Sequence, residues 1–182
     1  MTISLVTGGA GFIGSHIVEQ LISLGHEVVV VDNEYSDNEN FYWREDTYNV
    51  NIDITDKALK NAFTNVDYVF HLAAEARIGP AIENPVNAVN INTIGTCNVL
   101  QCARDAGVKK VMYSSTSSGY GLNPSPNDET QPDDCLNPYS VSKVAGEKIC
   151  KMYTDLYGLK TVIFRYFNVF GERAPKKGQY AP

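Results

Sequence analysis

The sequence predicts an α/β fold, a doubly wound parallel sheet with helices on both faces. Three observations predict it. Short apolar runs alternate with longer amphipathic stretches along the chain, the pattern of parallel strands joined by helical crossovers. A glycine-rich turn, Thr7–Gly14, separates the first apolar run from the first amphipathic one. A carboxylate, Asp32, ends the second apolar run.

Taken in order, Ile3–Thr7 reads as the first strand and Phe12–Leu24 as the first helix. The valine-rich Glu27–Asp32 is the second strand. The polar stretch Asn33–Thr47 reads as loop with an irregular helix. Tyr48–Ile52 is a third strand, Lys57–Phe63 a short helix and Tyr68–Leu72 a fourth strand. A long helical pattern runs from Pro85 to Ala106 and is ended by Gly107. Lys110–Ser114 is the fifth strand, followed by a loop rich in Pro, Asn and Asp from Gly121 to Asn137. Tyr139–Tyr157 is a second long helix, ended by Gly158, and Thr161–Tyr166 is the sixth strand. No internal repeat interrupts this alternation.

A chain of 182 residues suits one domain with a proper core. Its net charge of −6 argues against nucleic acid or an anionic membrane as partner, because both are polyanions. The four cysteines, Cys97, Cys102, Cys135 and Cys150, form no C-x-x-C pair and have no histidine cluster beside them. No metal site is expected from them; they read as buried thiols of a reducing compartment. The N-terminus lacks a basic stretch followed by an apolar run, and no apolar segment approaches the ~18 residues of a membrane span. The expected location is the cytoplasm.

The turn after the first strand is Thr7-Gly8-Gly9-Ala10-Gly11-Phe12-Ile13-Gly14. Gly9, Gly11 and Gly14 fit G-x-G-x-x-G, and Gly8, Gly11 and Gly14 fit the related G-x-x-G-x-x-G. One glycine lets the chain turn sharply out of the strand, one lets the backbone approach a pyrophosphate, and one lets the helix pack close to the sheet. The helix beginning near Phe12 points its free N–H groups at the phosphates. Asp32 can accept hydrogen bonds from both hydroxyls of an adenosine ribose and would repel a 2′-phosphate, which favours NAD over NADP. This is the Rossmann arrangement. Asp53 and Ile54 could flank the adenine; Asp53 could equally cap a helix.

Tyr139-Ser140-Val141-Ser142-Lys143 is Y-x-x-x-K at a helix start. Residues four apart share a helix face. A lysine ammonium and a nicotinamide cation would both stabilise phenolate, so Tyr139 could serve as a general base near neutral pH. The fifth strand leads into Ser114-Ser115-Thr116-Ser117-Ser118-Gly119-Tyr120-Gly121, and a hydroxyl from this stretch could meet Tyr139 over the nicotinamide. A lone strand-end histidine, His71, reads as satisfied by hydrogen bonds rather than catalytic.

Thr7–Gly14, Asp32, His71-Leu72-Ala73-Ala74, Asn92-x-x-Gly95-Thr96, Ser114–Gly121, Tyr139-x-x-x-Lys143 and Arg165-Tyr166-Phe167-Asn168 occur in this order. In that order the chain resembles the extended short-chain dehydrogenase/reductase family, in its nucleotide-sugar epimerase/dehydratase branch, over essentially its whole length. The resemblance implies that Tyr139 is the acid/base, Lys143 its electrostatic partner on the nicotinamide ribose, and Thr116 the hydroxyl that bonds the sugar 4-hydroxyl. It implies an NAD site built from Gly8, Gly11, Phe12, Ile13 and Gly14, with Asp32, Asn33, Asp53 and Ile54 on the adenosine side. Leu72, Ala73, Ala74, Asn92, Ser114, Ser115, Tyr139, Lys143 and Tyr166 would complete it, Asn92 falling on the family's structural asparagine. Thr116 and Asn168 would contact substrate. Glu75 and Arg77 could reach the sugar or its phosphates, or could be solvated loop residues.

The branch contains several reactions with a common first step, hydride loss from the sugar C4. Dehydratases carry an Asp-Glu pair just after the catalytic Thr, and sugar-acid decarboxylases tend to carry a glutamate at the position of Ser118. Here Ser117 and Ser118 stand there, and a hydroxyl cannot replace a carboxyl group in acid/base work near neutral pH. The resemblance therefore implies an NAD-dependent nucleotide-sugar 4-epimerase acting on a UDP-linked sugar, with a catalytically silent NAD-binding module, or a nucleotide-sugar reductase or dehydratase of the same family, as alternatives. In the family most of a substrate-binding domain follows the Arg165–Asn168 segment; here only Val169–Pro182 follow, ending without a polar tail. Residues 1–182 are expected to be an NAD-binding domain cut before that second domain. A homodimer is expected through the two long helices, unless their apolar faces only cover the sheet.

Overall fold

The computed structural model describes residues 1–36 and 41–175. Part of the Asn33–Thr47 stretch (37–40) and the terminal Gln179–Pro182 lie outside the described residues. Six strands form one sheet: β1 (Ile3–Thr7), β2 (Glu27–Asp32), β3 (Tyr48–Asn51), β4 (Tyr68–His71), β5 (Lys110–Thr116) and β6 (Thr161–Tyr166). Their order is β3-β2-β1-β4-β5-β6, and every pairing is parallel. The chain winds outward from β1 to β3, then returns to β4 on the other side of β1. The crevice above the carboxyl ends of β1 and β4 is thus the switch point at which such sheets bind ligands.

The alternation of side chains along each strand divides the core into two layers. Val6, Val28 and Val30 pack with Val18 and Leu21 of helix α1 (Phe12–Ser23) on one face. Leu5, Val29, Val31, Val69, Val111 and Tyr113 face the other layer. That layer includes Leu59 and Phe63 of a 3₁₀ helix (Lys57–Phe63) and residues of the long helices. Burial on both faces explains why β2 reads as an unbroken run of valines rather than an alternating one.

Two helical regions differ from expectation. Helix α2 (Ile78–Glu83) was hidden by Gly79-Pro80, yet a proline within the first turn costs no hydrogen bond. The long helix is composite: α3 (Pro85–Val89), a π-helical turn (Asn90–Gly95) and α4 (Thr96–Asp105). The π turn packs closely on the segment after β3. A Cβ on Gly95 would lie 2.5 Å from Cδ1 of Ile54. Helix α5 (Pro138–Tyr157) starts with a capping box, in which Asn137 accepts the Ser140 N–H and the Ser140 hydroxyl accepts the Asn137 N–H. It ends at Gly158, whose φ of 70° supplies the left-handed residue. Strand β6 is the sheet edge, and its Val162, Ile163 and Phe164 remain exposed.

Candidate active site

The glycine loop needs its glycines for two distinct reasons. Gly8 has φ of 68°, and a Cβ there would lie 2.7 Å from the Ala73 nitrogen. A Cβ on Gly14 would fall inside the Gly8 carbonyl. The loop therefore lies flat against the ends of β1 and β4 and brings the start of α1 down to it. Gly11 is the N-cap of α1, and no side chain caps that end. The N–H groups of Phe12, Ile13 and Gly14 belong to the first turn, where a helix has no internal acceptors. They are disposed to receive an anion.

Asp32, at the end of β2, is buried beside this loop. Its Oδ2 accepts the Ala10 N–H at 3.1 Å and its Oδ1 the Glu34 N–H at 2.9 Å. Burial raises its carboxyl above the ordinary value despite these bonds. Asn33 donates to Asp53 Oδ2 at 2.7 Å, and Asp53 Oδ1 accepts from the backbone and hydroxyl of Thr55. Of the two roles open to Asp53, capping the next helix belongs instead to Asp56, which accepts from the Ala58 N–H. Ile54 is buried under the π turn.

At the end of β4, the Leu72 and Ala73 N–H groups both donate to the Thr7 carbonyl, which fixes this segment against the loop. Ala74 follows, half-buried. His71 is buried, with Nδ1 2.7 Å from the Thr7 hydroxyl and Nε2 2.9 Å from that of Thr96. The Thr96 hydroxyl gives its proton to the Asn92 carbonyl. The network therefore puts the imidazole proton on Nε2. Burial pushes its pKa down to about 3, so His71 is neutral.

Glu75 is 3% exposed and Arg77 is exposed. The pair is thus not uniformly solvated: Glu75 Oε1 accepts the Arg77 N–H at 3.1 Å from within the fold. Asn92 is fully buried in the π turn. Its amide accepts from the Glu75 N–H and donates to the Glu75 carbonyl and the Ser142 hydroxyl. Its amide is thus committed to protein partners and ties the segment bearing Glu75 to helix α5.

Tyr139 is the second residue of α5 and half-buried. Lys143, one turn later, is 3% exposed; its Nζ lies 4.5 Å from the Tyr113 ring centroid. Burial pulls its pKa down to about 8. Thr116 ends β5, where its hydroxyl accepts the Ser118 N–H at 3.1 Å and caps a 3₁₀ turn (Ser117–Tyr120) packed against α5. Ser114 is half-buried, whereas Ser115 is buried and donates to Glu147. Tyr166 pairs in register with Thr116 across β5 and β6, and Asn168 lies two residues beyond β6, exposed. Glu147 and Arg165 form a bidentate ion pair, with Nε–Oε1 at 2.9 Å and Nη2–Oε2 at 2.6 Å. Sequence reasoning missed Glu147; its one signal was its place a helical turn after Lys143. Among the described residues no group of His, Cys, Asp and Glu could hold a metal ion, and no helix is long and apolar enough to cross a membrane.

Comparison with known proteins gives a concordant result. A UDP-N-acetyl-alpha-D-glucosaminuronate decarboxylase of Bacillus cytotoxicus is 41% identical over 97% of this chain and 57% of its own. A UDP-glucose 4-epimerase of Mycolicibacterium smegmatis is 36% identical over 97% of this chain and 59% of its own. The crystal structure of the UDP-glucose 4-epimerase of Thermotoga maritima with UDP-glucose superposes with a TM-score of 0.92 at 36% identity, covering 98% of this chain and 60% of that one. The chain thus spans less than two thirds of the length of these relatives. The sequence matches the NAD dependent epimerase/dehydratase family over residues 4–181, and the chain belongs to that family.

Proposed function

We propose that residues 1–182 are the NAD-binding part of a nucleotide-sugar 4-epimerase acting on UDP-linked hexoses. The observation that carries this reading is the end of β5. Thr116 stands there with hydroxyls, Ser117 and Ser118, in the two following positions, close to the α5 that bears Tyr139 and Lys143. A carboxyl acid/base is missing where a dehydration or decarboxylation would use one, and reversible hydride removal at C4 asks for none.

In this reading the glycine loop and the first turn of α1 hold the pyrophosphate of NAD, and Asp32 holds the adenosine ribose, with Asn33, Asp53 and Ile54 beside the adenine. Leu72, Ala73 and Ala74 line the cofactor's path to Ser114 and Tyr166. When bound, NAD accepts a hydride from C4 and returns it. Tyr139 takes the 4-hydroxyl proton, Thr116 orients that hydroxyl, and Lys143 favours the tyrosine anion electrostatically. Epimerisation would then require the 4-keto sugar to turn its other face to the cofactor for the returning hydride, with Tyr139 giving the proton back to the C4 oxygen. In the same reading Glu75, Arg77 and Asn168 would meet the sugar or its diphosphate. Binding energy from the nucleotide would come from a substrate domain outside this sequence.

A homodimer through α3–α4 and α5 fits their outward apolar residues, Val86, Ile94, Val141, Met152 and Leu156. The free cysteines suit the cytoplasm, and the charge of −6 disfavours nucleic acid. The test is incubation with NAD and a panel of UDP-hexoses and UDP-N-acetylhexosamines, with Tyr139→Phe as control. A 4-epimer formed by the native chain and not by the variant supports the reading. NAD binding without product on any sugar leaves a cofactor-binding part whose chemistry needs the substrate domain, and the silent module is favoured if product is still missing when that domain is joined to it.

A further inference from the structure

Glu147 lies one helical turn beyond Lys143 on α5, and both side chains are buried. Its carboxylate receives three hydrogen bonds from two residues. The Ser115 hydroxyl donates to it from β5, one residue before Thr116. Arg165 donates twice from β6, and also pairs with Asp133 at 2.6 Å. Asp133 is in turn bound by Lys148 at 2.7 Å. So elaborate a hold on one carboxylate exceeds what joining two strands to a helix requires, because an apolar contact would do that without desolvating charge.

The other titratable groups facing Lys143 carry no charge near neutral pH. On β4, His71 is neutral down to about 3. On β5, burial holds the Tyr113 phenol well above its ordinary range. On α5, burial pushes the Cys150 thiol up to about 12. Tyr139, on the same helix, is the group Lys143 serves. Among the described residues whose charge bears on Lys143, Glu147 is the one carboxylate; burial is the largest influence and lowers the lysine's proton affinity, while Cys150 and then Glu147 raise it. Arg165, which also pairs with Asp133, neutralises part of that field.

We propose that Glu147 is a positioning residue, whose carboxylate, fixed by Ser115 and Arg165, keeps buried Lys143 as the ammonium that Tyr139 needs to act as a base. The proposal rests on the reading of Tyr139 as the base. No bond forms or breaks at Glu147; it sets which form of Lys143 exists at working pH.

The test follows two titrations in the NAD-loaded chain. Lysine ¹⁵N NMR reads the Nζ of Lys143, assigned with Lys143→Arg, and ultraviolet difference absorbance against Tyr139→Phe reads the phenolate. In Glu147→Gln the Lys143 midpoint is expected to fall by roughly one pH unit or more and the Tyr139 midpoint to rise. Ser115→Ala, which keeps the charge, is expected to leave the Lys143 midpoint nearly unmoved. Should the Gln variant fail to fold, Glu147→Asp retains the ion pair and withdraws the charge by one methylene, and a smaller fall is expected. An unmoved Lys143 midpoint in the folded Gln or Asp variant overturns the proposal and leaves Tyr139's role intact. A native chain with no near-neutral phenolate at Tyr139 overturns both.

Discussion

Asp32 accepts the backbone N–H of Ala10 at 3.1 Å, so the carboxylate that ends β2 is bonded into the glycine loop that follows β1. In the proposed NAD site the groups assigned to ribose and phosphate are thereby one unit. A second bond, from the Glu34 N–H, fixes the other oxygen. The carboxylate is held in one orientation before any ligand arrives, and the cost of ordering it is met in folding rather than in binding.

Charge at Asp32 should therefore govern cofactor affinity. Burial raises its pKa above the ordinary value, so protonation begins at a higher pH than for a solvated aspartate. NAD affinity is expected to fall as pH drops through that raised midpoint, because the neutral acid accepts ribose hydroxyls poorly. Asp32→Asn should weaken NAD by roughly 10–100-fold, the value of hydrogen bonds to a charged group, and should flatten the acid limb. Calorimetric titration with NAD across pH measures both.

Gly8 and Gly25 separate backbone strain from close approach. Both have positive φ, but a Cβ at Gly25 meets nothing within 4 Å, whereas one at Gly8 meets the Ala73 backbone at 2.7 Å. Gly25→Ala should cost about 1–2 kcal/mol in urea unfolding and leave NAD affinity unchanged. Gly8→Ala should cost more and also lose NAD binding, since the loop must lift from β4. Equal effects of the two on NAD would contradict this account of the loop.

The Asn92 amide satisfies both the N–H and the carbonyl of Glu75, and reaches the Ser142 hydroxyl at 2.9 Å. Asn92→Ala strands these buried groups, at a cost of roughly 2–4 kcal/mol. Asn92→Leu, close in volume, should recover none of it, which denaturant midpoints would reveal. Recovery by Leu would mean that the residue is merely space-filling.

What could be read from the sequence was what is local in it. The glycine spacing of Gly8–Gly14, the strand end at Asp32 and the four-residue step from Tyr139 to Lys143 each state their geometry in a short window. The ties that assemble these pieces are not local. Asn92 meets Glu75 over 17 residues and Ser142 over 50, and Glu147 meets Ser115 over 32. No periodicity announces such pairs. The π turn was equally hidden, because it differs from the α-helical stretches on either side in its backbone bonding rather than in its hydrophobic pattern.

Lys143 should reveal its function through its cost. Its pKa is lowered by burial from an ordinary 10.5 to about 8. Between those values the unfolded chain binds the proton and the folded one does not, so stability rises with pH across about 8 to 10.5. Below about pH 8 the full penalty applies, on the order of 3 kcal/mol. Lys143→Met, which removes the charge and keeps an unbranched apolar stem, should accordingly be more stable than the native chain at pH 7. Its advantage should shrink toward pH 10. The same variant should lose the near-neutral phenolate at Tyr139, since the ammonium that favours it is gone. Urea unfolding at pH 7 and pH 10, with the phenolate titration beside it, checks both. A Met variant less stable at pH 7, with the phenolate intact, would mean that Lys143 is an ordinary packing residue. The expected pattern, stability gained as acid/base competence is lost, is that of a buried charge retained for chemistry.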